Sequence, residues 1–194
     1  AMYLGRFQMF HKGHLDMAKY IDDQPDTESL IFLVGSAQYS RYNKHPFLPR
    51  VLNPFTSEER TDMINRAVRH ELKRPYEIIS VPDLHVCDRW YDLIMHKARP
   101  DVLYTNEPKK IDLFGSHGTP TRRIPVGEGY HAQVIREMIA YDDHYEHLIP
   151  KGTKGFIEEK GLEKILRYFY EENMHDMAEV HAMQRKKGIR VYGE

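Results

Sequence analysis

The 194-residue sequence is poor in several features that mark particular classes of protein. It contains a single cysteine, Cys87, so it forms no internal disulfide, and it has no apolar run long enough to span a bilayer. Its formal net charge of −1 excludes a strongly basic chain, although a local cationic cleft is compatible with it. The N-terminus shows no signal-peptide pattern. We therefore expect a cytoplasmic protein that binds neither nucleic acid nor membrane.

Short apolar runs alternate with amphipathic helical patterns along the chain. Residues 29–34 form a continuous apolar run that ends at Gly35, as is typical of a strand buried on both faces of a parallel sheet. Further strands are predicted at 76–81, 101–105 and 122–126, and helices at 15–21, 58–72, 88–98, 109–114 and 153–170. This alternation predicts an α/β fold, a doubly wound, Rossmann-like parallel sheet with helices on both faces and ligands at its carboxyl edge.

Two segments stand apart from this alternation. Residues 39–52 are rich in Tyr, Arg, Lys, His and Pro without periodicity, which is typical of a surface loop; an oligomer contact, an insertion or a mobile lid would each fit. Near the C-terminus, Met174, Met177, Ala178 and His181 recur at helical spacing. We therefore predict one domain over residues 1–170 and a C-terminal helical extension over residues 171–194.

The strongest functional signal is the stretch GRFQMFHKGH near the N-terminus, between an apolar start and a helical run. A helix N-terminus offers free N–H groups and a positive dipole end to an anion, and Gly13 would let a phosphate approach the backbone. His11 and His14 can each donate a hydrogen bond to a phosphate oxygen, while Arg6 and Lys12 add positive charge. Such a polycationic cradle without a nucleophile predicts charge stabilisation in phosphoryl chemistry.

The HxGH letters of this loop resemble the signature of the nucleotidylyltransferase superfamily, whose members transfer a nucleoside monophosphate from ATP or CTP to a phosphorylated acceptor. The flanking GRFQ and Phe10 are similar to the GRFQPFHxGH loop of archaeal-type nicotinamide-nucleotide adenylyltransferases, with Met9 in place of the proline. The alternative is a chance HxxH at a helix start, with both histidines on the surface.

Later elements extend the resemblance. Residues 35–38, GSAQ, appear at this place in the relatives, although an ordinary turn has the same composition. Residues 53–60 resemble the element NPFTxxER, whose arginine reaches the phosphates; the alternative for Arg60 is a solvated helix arginine. Thr56 or Ser57 can cap the helix that follows, and Asp88 can cap the next one.

A second phosphate motif of the family, Ser-Gly-Thr-x-Ile-Arg after a tyrosine, is partly kept. Tyr130, Ile135 and Arg136 match it, whereas His131 and Gln133 replace the serine and threonine. The helix start still offers N–H groups to an anion, and a glutamine still donates. The same segment matches GxGxxA, which we discard as a dinucleotide fingerprint because no βαβ unit follows it.

The resemblance implies site residues for each step. Catalytic residues would be His11, His14, Arg6, Lys12 and Arg136. ATP would contact Gly5, Phe7, Gln8, Gly13, Gly35, Ser36, Arg60, His131, Gln133 and Ile135. The nicotinamide nucleotide would contact Gln38, Asp83, Trp90 and Asn106. An indole face suits a flat cationic pyridinium, and a carboxylate suits a ribose hydroxyl or a carboxamide, although a lone tryptophan is more often only part of the core.

The implied reaction joins ATP and nicotinamide mononucleotide to give NAD and pyrophosphate, by direct in-line attack without a covalent intermediate. Mg²⁺ would be held by the ATP oxygens, with no metal ligand from the protein. The family also implies a homo-oligomer that acts on small molecules. Two alternatives stay open: another acceptor (nicotinic acid mononucleotide, pantetheine phosphate or flavin mononucleotide), or a non-catalytic sensor of NAD or ATP.

Overall fold

A computed structural model of the chain describes residues 1–125, 130–189 and 191. Its sheet has the strands β1 (Met2–Gly5), β2 (Leu30–Val34), β3 (Tyr76–Ser80), β4 (Leu103–Tyr104) and β5 (Thr121–Arg122). All neighbouring strands are parallel, in the order β3-β2-β1-β4-β5. The order reverses between β1 and β4, which is the switch point where open α/β sheets bind ligands. The predicted doubly wound fold is confirmed.

Helices connect the strands and cover both faces of the sheet. In the described part of the chain they are α1 (Lys12–Asp22), α2 (Ser57–Val68), α3 (Cys87–Lys97), α4 (Pro108–Ser116), α5 (Ala132–Ala140), α6 (Lys151–Lys160), α7 (Leu162–Glu172) and α8 (Met174–Lys186). Along β2, Phe32 and Val34 join one core cluster while Leu33 joins the cluster on the opposite face. The predicted burial of this strand on both faces is therefore confirmed. None of the described helices is both long and apolar enough to cross a bilayer.

The structure corrects two local predictions and confirms a third. The single helix predicted at 153–170 is two helices, because Gly161 takes the left-handed conformation (φ 61°) that ends α6. The N-cap of α3 is Val86, without a side-chain hydrogen bond, so Asp88 lies inside the first turn and does not cap. Thr56 does cap α2, in a reciprocal arrangement with Glu59. The end of the predicted strand at 122–126 and the first part of the GxGxxA match, residues 126–129, lie outside the described residues.

The helix predicted in the C-terminal extension is present as α8 and packs on the body of the protein. Met177 and Val180 belong to the same buried cluster as the sheet residues. The Asp176 carboxylate accepts a hydrogen bond from the backbone N–H of Arg50 at 2.6 Å. These contacts seat α8 beside the loop that follows β2.

Candidate active site

Three cavities open around the carboxyl end of β1. The histidine cavity, of about 350 Å³, is lined by residues that include Arg6, His11, His14, Gln133, Arg136 and Gln184. The tryptophan cavity, of about 340 Å³, is lined by residues that include Arg6, Gly35, Ser36, Asp83, Trp90 and Lys110. The tyrosine cavity, of about 250 Å³, is lined by residues that include His11, Gly13, His14, Asn106, Ile124 and Tyr130. Arg6 and the two histidines therefore each border two cavities.

His11 and His14 cap the start of α1 reciprocally. The Nδ1 atom of each ring accepts a hydrogen bond from the backbone N–H of the other residue, at 3.3 Å in both cases. The rings stack with centroids 3.7 Å apart and planes 23° apart. A neutral imidazole whose Nδ1 accepts must carry its proton on Nε2. Each ring therefore carries its N–H on Nε2.

Both histidines are neutral in the free protein at pH 7. Burial lowers the pKa of His14 to about 3, with a backbone hydrogen bond at Met9 opposing the shift. Burial also lowers the pKa of His11 well below its ordinary value, and the neighbouring His14, His131 and Arg136 lower it further. The predicted cradle is accordingly less cationic than expected, since the two rings supply N–H donors rather than full charges.

Aromatic packing fixes the His14 ring. Phe10 lies parallel to it at 5.4 Å between centroids, and Phe7 meets it edge-on at 5.1 Å. Gly5 is needed here, because a Cβ at that position would lie 2.9 Å from the Phe7 ring. At Gly13 a Cβ would lie 2.8 Å from the Cβ of Tyr130, so the close approach that Gly13 permits in this structure is by that tyrosine.

Arg60, predicted to reach the phosphates, is bonded to backbone carbonyls in this structure. It is fully buried, at 0% exposure. Its Nη1 donates to the carbonyl oxygens of Arg6 and Gly35 at 2.8 Å, and its Nη2 donates to that of Ser36 at 3.2 Å. Burial lowers its pKa to about 10, so it stays charged. Because these donors are bonded to backbone carbonyls, Arg60 braces the loops that follow β1 and β2 in this structure.

Arg136 lines the histidine cavity, but it too is buried and bonded. Its guanidinium donates to the Gln8 carbonyl, to the Gln133 side chain and, at 3.2 Å, to the Tyr170 hydroxyl. The Gln133 amide also donates to Glu137 at 2.7 Å. In this conformation Arg136 therefore contributes positive charge to the cavity rather than free donors.

The structure also gives the places of four more predicted site residues. The Gln8 side chain is tied to the backbone of Phe55, donating at 3.0 Å and accepting at 2.9 Å, so it is not free for ATP. Ile135 is a core residue whose N–H is bonded to the His131 carbonyl. Lys12 lines none of the three cavities. His131 does line the histidine cavity, and it is exposed there.

Asn106, predicted to contact the nicotinamide nucleotide, lies in the tyrosine cavity instead of beside Trp90. Its amide donates to the Ile124 carbonyl at 2.8 Å and accepts from the Ile124 N–H at 3.0 Å. Both ends of the amide are thus used to join the chain after β4 to the chain after β5.

The tryptophan cavity is built around Asp83, as expected from its place after β3. The Ser36 hydroxyl and N–H donate to the Asp83 carboxylate at 2.6 and 3.2 Å. The Gln38 amide pairs with the Asp83 backbone, donating at 3.0 Å and accepting at 2.9 Å, so Gln38 positions Asp83 and is not itself among the lining residues. Gly35 and Ser36, predicted to contact ATP, line the tryptophan cavity and not the histidine cavity. The reason is that both residues follow β2, which lies on the same side of β1 as the tryptophan cavity.

Trp90 faces the tryptophan cavity from the core and donates from Nε1 to the Pro82 carbonyl at 3.1 Å. The Lys110 ammonium lies over its ring, 3.9 Å from the centroid. Sequence reasoning missed Lys110, and it also missed Gln184 and Lys187 at the end of α8, which line the histidine cavity. No local pattern identifies these residues, because they reach the cavities through tertiary packing.

The residues described contain no group of three or more His, Cys, Asp or Glu side chains that could hold a metal ion. Asp83 and Glu107 line the tryptophan cavity, whereas the described residues that line the histidine cavity include no carboxylate.

Comparison with known proteins agrees with this geometry. A sequence model described as cytidylyltransferase-like matches residues 2–114. The chain is 34% identical to the nicotinamide-nucleotide adenylyltransferase of Methanothrix thermoacetophila, over 84% of this chain and 92% of that protein. It is 32% identical to the enzyme of the same name from Saccharolobus solfataricus, over 84% of this chain and 93% of that protein.

A solved structure shares the fold. It is a bifunctional NMN adenylyltransferase/ADP ribose pyrophosphatase from Francisella tularensis, complexed with AMP and a Mn ion, and it superposes with a TM-score of 0.71 at 18% identity. The match covers 95% of this chain and 55% of that one, so the present chain spans about half its length. The chain therefore belongs to the cytidylyltransferase-like nucleotidyltransferases, the family of the archaeal nicotinamide-nucleotide adenylyltransferases.

Proposed function

We propose that this protein is an adenylyltransferase that joins ATP and nicotinamide mononucleotide to give NAD and pyrophosphate. The observation that carries the proposal is the reciprocal cap of His11 and His14 at the switch point of the sheet, which leaves two Nε2–H donors beside a cationic cavity. The names of the archaeal relatives support the same reaction.

The charge of the histidine cavity favours a triphosphate. Within the described part of the chain, its lining includes the cations Arg6, Arg136 and Lys187 and no carboxylate. A cleft lined by one sign of charge raises the local concentration of the opposite sign. The substrate would be ATP with Mg²⁺ bound to its own phosphate oxygens.

In the proposed reaction, a phosphate oxygen of the acceptor attacks the α-phosphorus of ATP in line. A new P–O bond forms, the bond from the α-phosphorus to the bridging oxygen breaks, and pyrophosphate leaves with that electron pair. No base is required, because the attacking phosphate is already an anion. The two Nε2–H groups would donate to oxygens on which negative charge grows, and Arg6 would align the two nucleotides from its place between the cavities.

The acceptor would occupy the tryptophan cavity, with its pyridinium ring on Trp90 and its ribose near Asp83. The position of Lys110 favours a second candidate acceptor, nicotinic acid mononucleotide. A cationic pyridinium stacked on Trp90 would be repelled by the ammonium now over the ring, whereas the carboxylate of nicotinic acid mononucleotide would pair with it.

An acceptor panel tests the proposal directly. Purified protein is incubated with ATP, Mg²⁺ and each of four acceptors (the two pyridine mononucleotides, pantetheine phosphate and flavin mononucleotide), and pyrophosphate release is followed. We expect turnover with the pyridine mononucleotides alone. Lys110→Met should shift the preference toward nicotinamide mononucleotide, while Lys109→Met, a matched loss of charge outside the cavity, should not.

Two results would count against the proposal. Release of pyrophosphate only with pantetheine phosphate or flavin mononucleotide would assign a different acceptor. Calorimetry that shows NAD binding without turnover in either direction would instead favour a sensor.

A further inference from the structure

The far wall of the histidine cavity is formed by the end of α8. Val180, Met183, Gln184 and Lys187 line it opposite the residues of the β1 loop and α5. The helix is held there by contacts at several points. Besides the Asp176 bond to the Arg50 N–H, His181 lies 3.0 Å from the Glu137 carboxylate. The wall is therefore part of the folded body.

Gln184 has an unusual environment within this wall. It is only 5% exposed, yet neither its amide nitrogen nor its amide oxygen has a hydrogen-bond partner. No other side chain in the described residues leaves two buried polar atoms unpartnered. Buried polar groups are nearly always bonded, so an unpaired amide on a residue that lines a cavity points to a polar ligand within its reach.

The surrounding charges define the chemistry of that ligand. Arg6, Arg136 and Lys187 make the lining cationic, and among the described lining residues no carboxylate balances them. The nearby Glu137 is engaged by Gln133 and His181. A polyanion with several oxygen acceptors satisfies the charges and the Gln184 nitrogen together.

We propose that Gln184 and Lys187 bind the outer phosphates of the nucleotide substrate, and hence the pyrophosphate product, so that α8 completes the polyphosphate site. The inference rests on the proposed function for the identity of the nucleotide. The binding of a polyphosphate anion does not depend on it, because no acceptor is required.

Inorganic tripolyphosphate is the probe, and its affinity is measured by calorimetry on the full chain. Gln184→Leu and Lys187→Ala should each weaken binding about tenfold, the scale of one charge-assisted hydrogen bond. Lys186→Ala, an equal loss of charge one residue away on α8 and outside the cavity lining, should leave the affinity within about twofold.

Thermal unfolding separates ligand binding from a structural role for Gln184. Replacing an unpaired buried amide by leucine should leave the Tm of the free protein equal or higher, while the shift caused by tripolyphosphate shrinks. Unchanged affinity in both variants would overturn the proposal, and so would a fall in the Tm of Gln184→Leu at unchanged affinity.

The same variants distinguish this inference from the proposed function. If wild-type protein binds tripolyphosphate, and both variants lose affinity, the α8 site stands even when no acceptor yields a dinucleotide. If the dinucleotide forms at normal rates and ATP KM is unchanged in Gln184→Leu and Lys187→Ala, the adenylyltransferase stands and the α8 site fails.

Discussion

The histidine cavity and the tryptophan cavity share Arg6 but are built in opposite ways. The first is lined by cations and imidazoles, with no carboxylate among its described lining residues. The second mixes both charges and an aromatic face, with Asp83 held in place by Ser36 and Gln38. The lining of the histidine cavity favours anions in general, whereas that of the tryptophan cavity offers groups that could select a ligand by shape and chemical identity. Variants that perturb one cavity at a time test this difference.

The largest effect is expected at His14. His14→Asn keeps an acceptor near the Nδ1 position, and thus the helix cap, but removes the Nε2–H donor. Turnover should fall about 10²–10³-fold, the scale for losing one donor to developing charge. The acceptor KM should not change. His14→Gln, which keeps a donor near the Nε2 position, should retain more of the rate; equal losses in both variants, measured in the pyrophosphate assay, would contradict this account.

Substitution of Arg60 tests its role in bracing the loops that follow β1 and β2, between the two cavities. Arg60→Met leaves the carbonyls of Arg6 and Gly35 without their buried donor, so the free energy of unfolding should fall by about 2–4 kcal/mol in urea titrations. Arg66→Met, on the exposed side of the same helix, should have little effect. A direct phosphate ligand would behave differently: ATP KM would rise at unchanged stability.

The histidine side should also make the fold sensitive to acid. The ordinary histidine pKa is 6.5, and in the fold that of His14 is about 3. Between these two pH values the unfolded chain binds more protons than the folded chain. The contribution of His14 to the free energy of unfolding is therefore full above pH 6.5 and is lost as the pH falls toward 3. At pH 5 the loss due to His14 should be about 2 kcal/mol. Urea unfolding at pH 7 and pH 5 should show a smaller loss in His14→Gln; an identical loss would refute the pKa assignment.

The smallest effect is expected at Trp90. Trp90→Leu should raise the acceptor KM about five- to thirtyfold, equivalent to about 1–2 kcal/mol of lost cation–π contact, and leave the ATP KM unchanged. Phe114→Leu is the matched control, because Phe114 packs against Trp90 in the core and does not line the cavity. It should lower stability without moving the acceptor KM. Equal KM changes in both variants would show that Trp90 only packs.

Much of the fold was predictable because its signals are local. The apolar run of β2, the Thr56 cap and the helix after the histidine loop depend on neighbouring residues, and all are present. The break between α6 and α7 also had a signal, since Gly161 is the residue type that ends helices in the left-handed conformation. No sequence signal indicated that β4 and β5 would be only two residues long.

The site was predictable only in part, because the sequence does not show which groups a side chain meets. In the sequence, Arg60 and Arg136 both fit a phosphate-binding role. In the structure, the guanidinium groups of both donate hydrogen bonds to nearby carbonyl and side-chain oxygens. Asn106 follows β4 as predicted, yet both ends of its amide are hydrogen-bonded to the backbone of Ile124. Lys110 and Gln184 reach the cavities from helices whose patterns indicate nothing beyond amphipathic packing.

The position of Arg6 on the border of two cavities has a consequence for the order of events. Two anionic ligands that draw on one guanidinium compete for the same counter-charge, so occupancy of either cavity weakens attraction toward the other. Thermodynamic reciprocity requires the two penalties to be equal. If the proposed function holds, departure of pyrophosphate would restore the full attraction of Arg6 for the dinucleotide that stays behind, and the two products would leave in a coupled sequence.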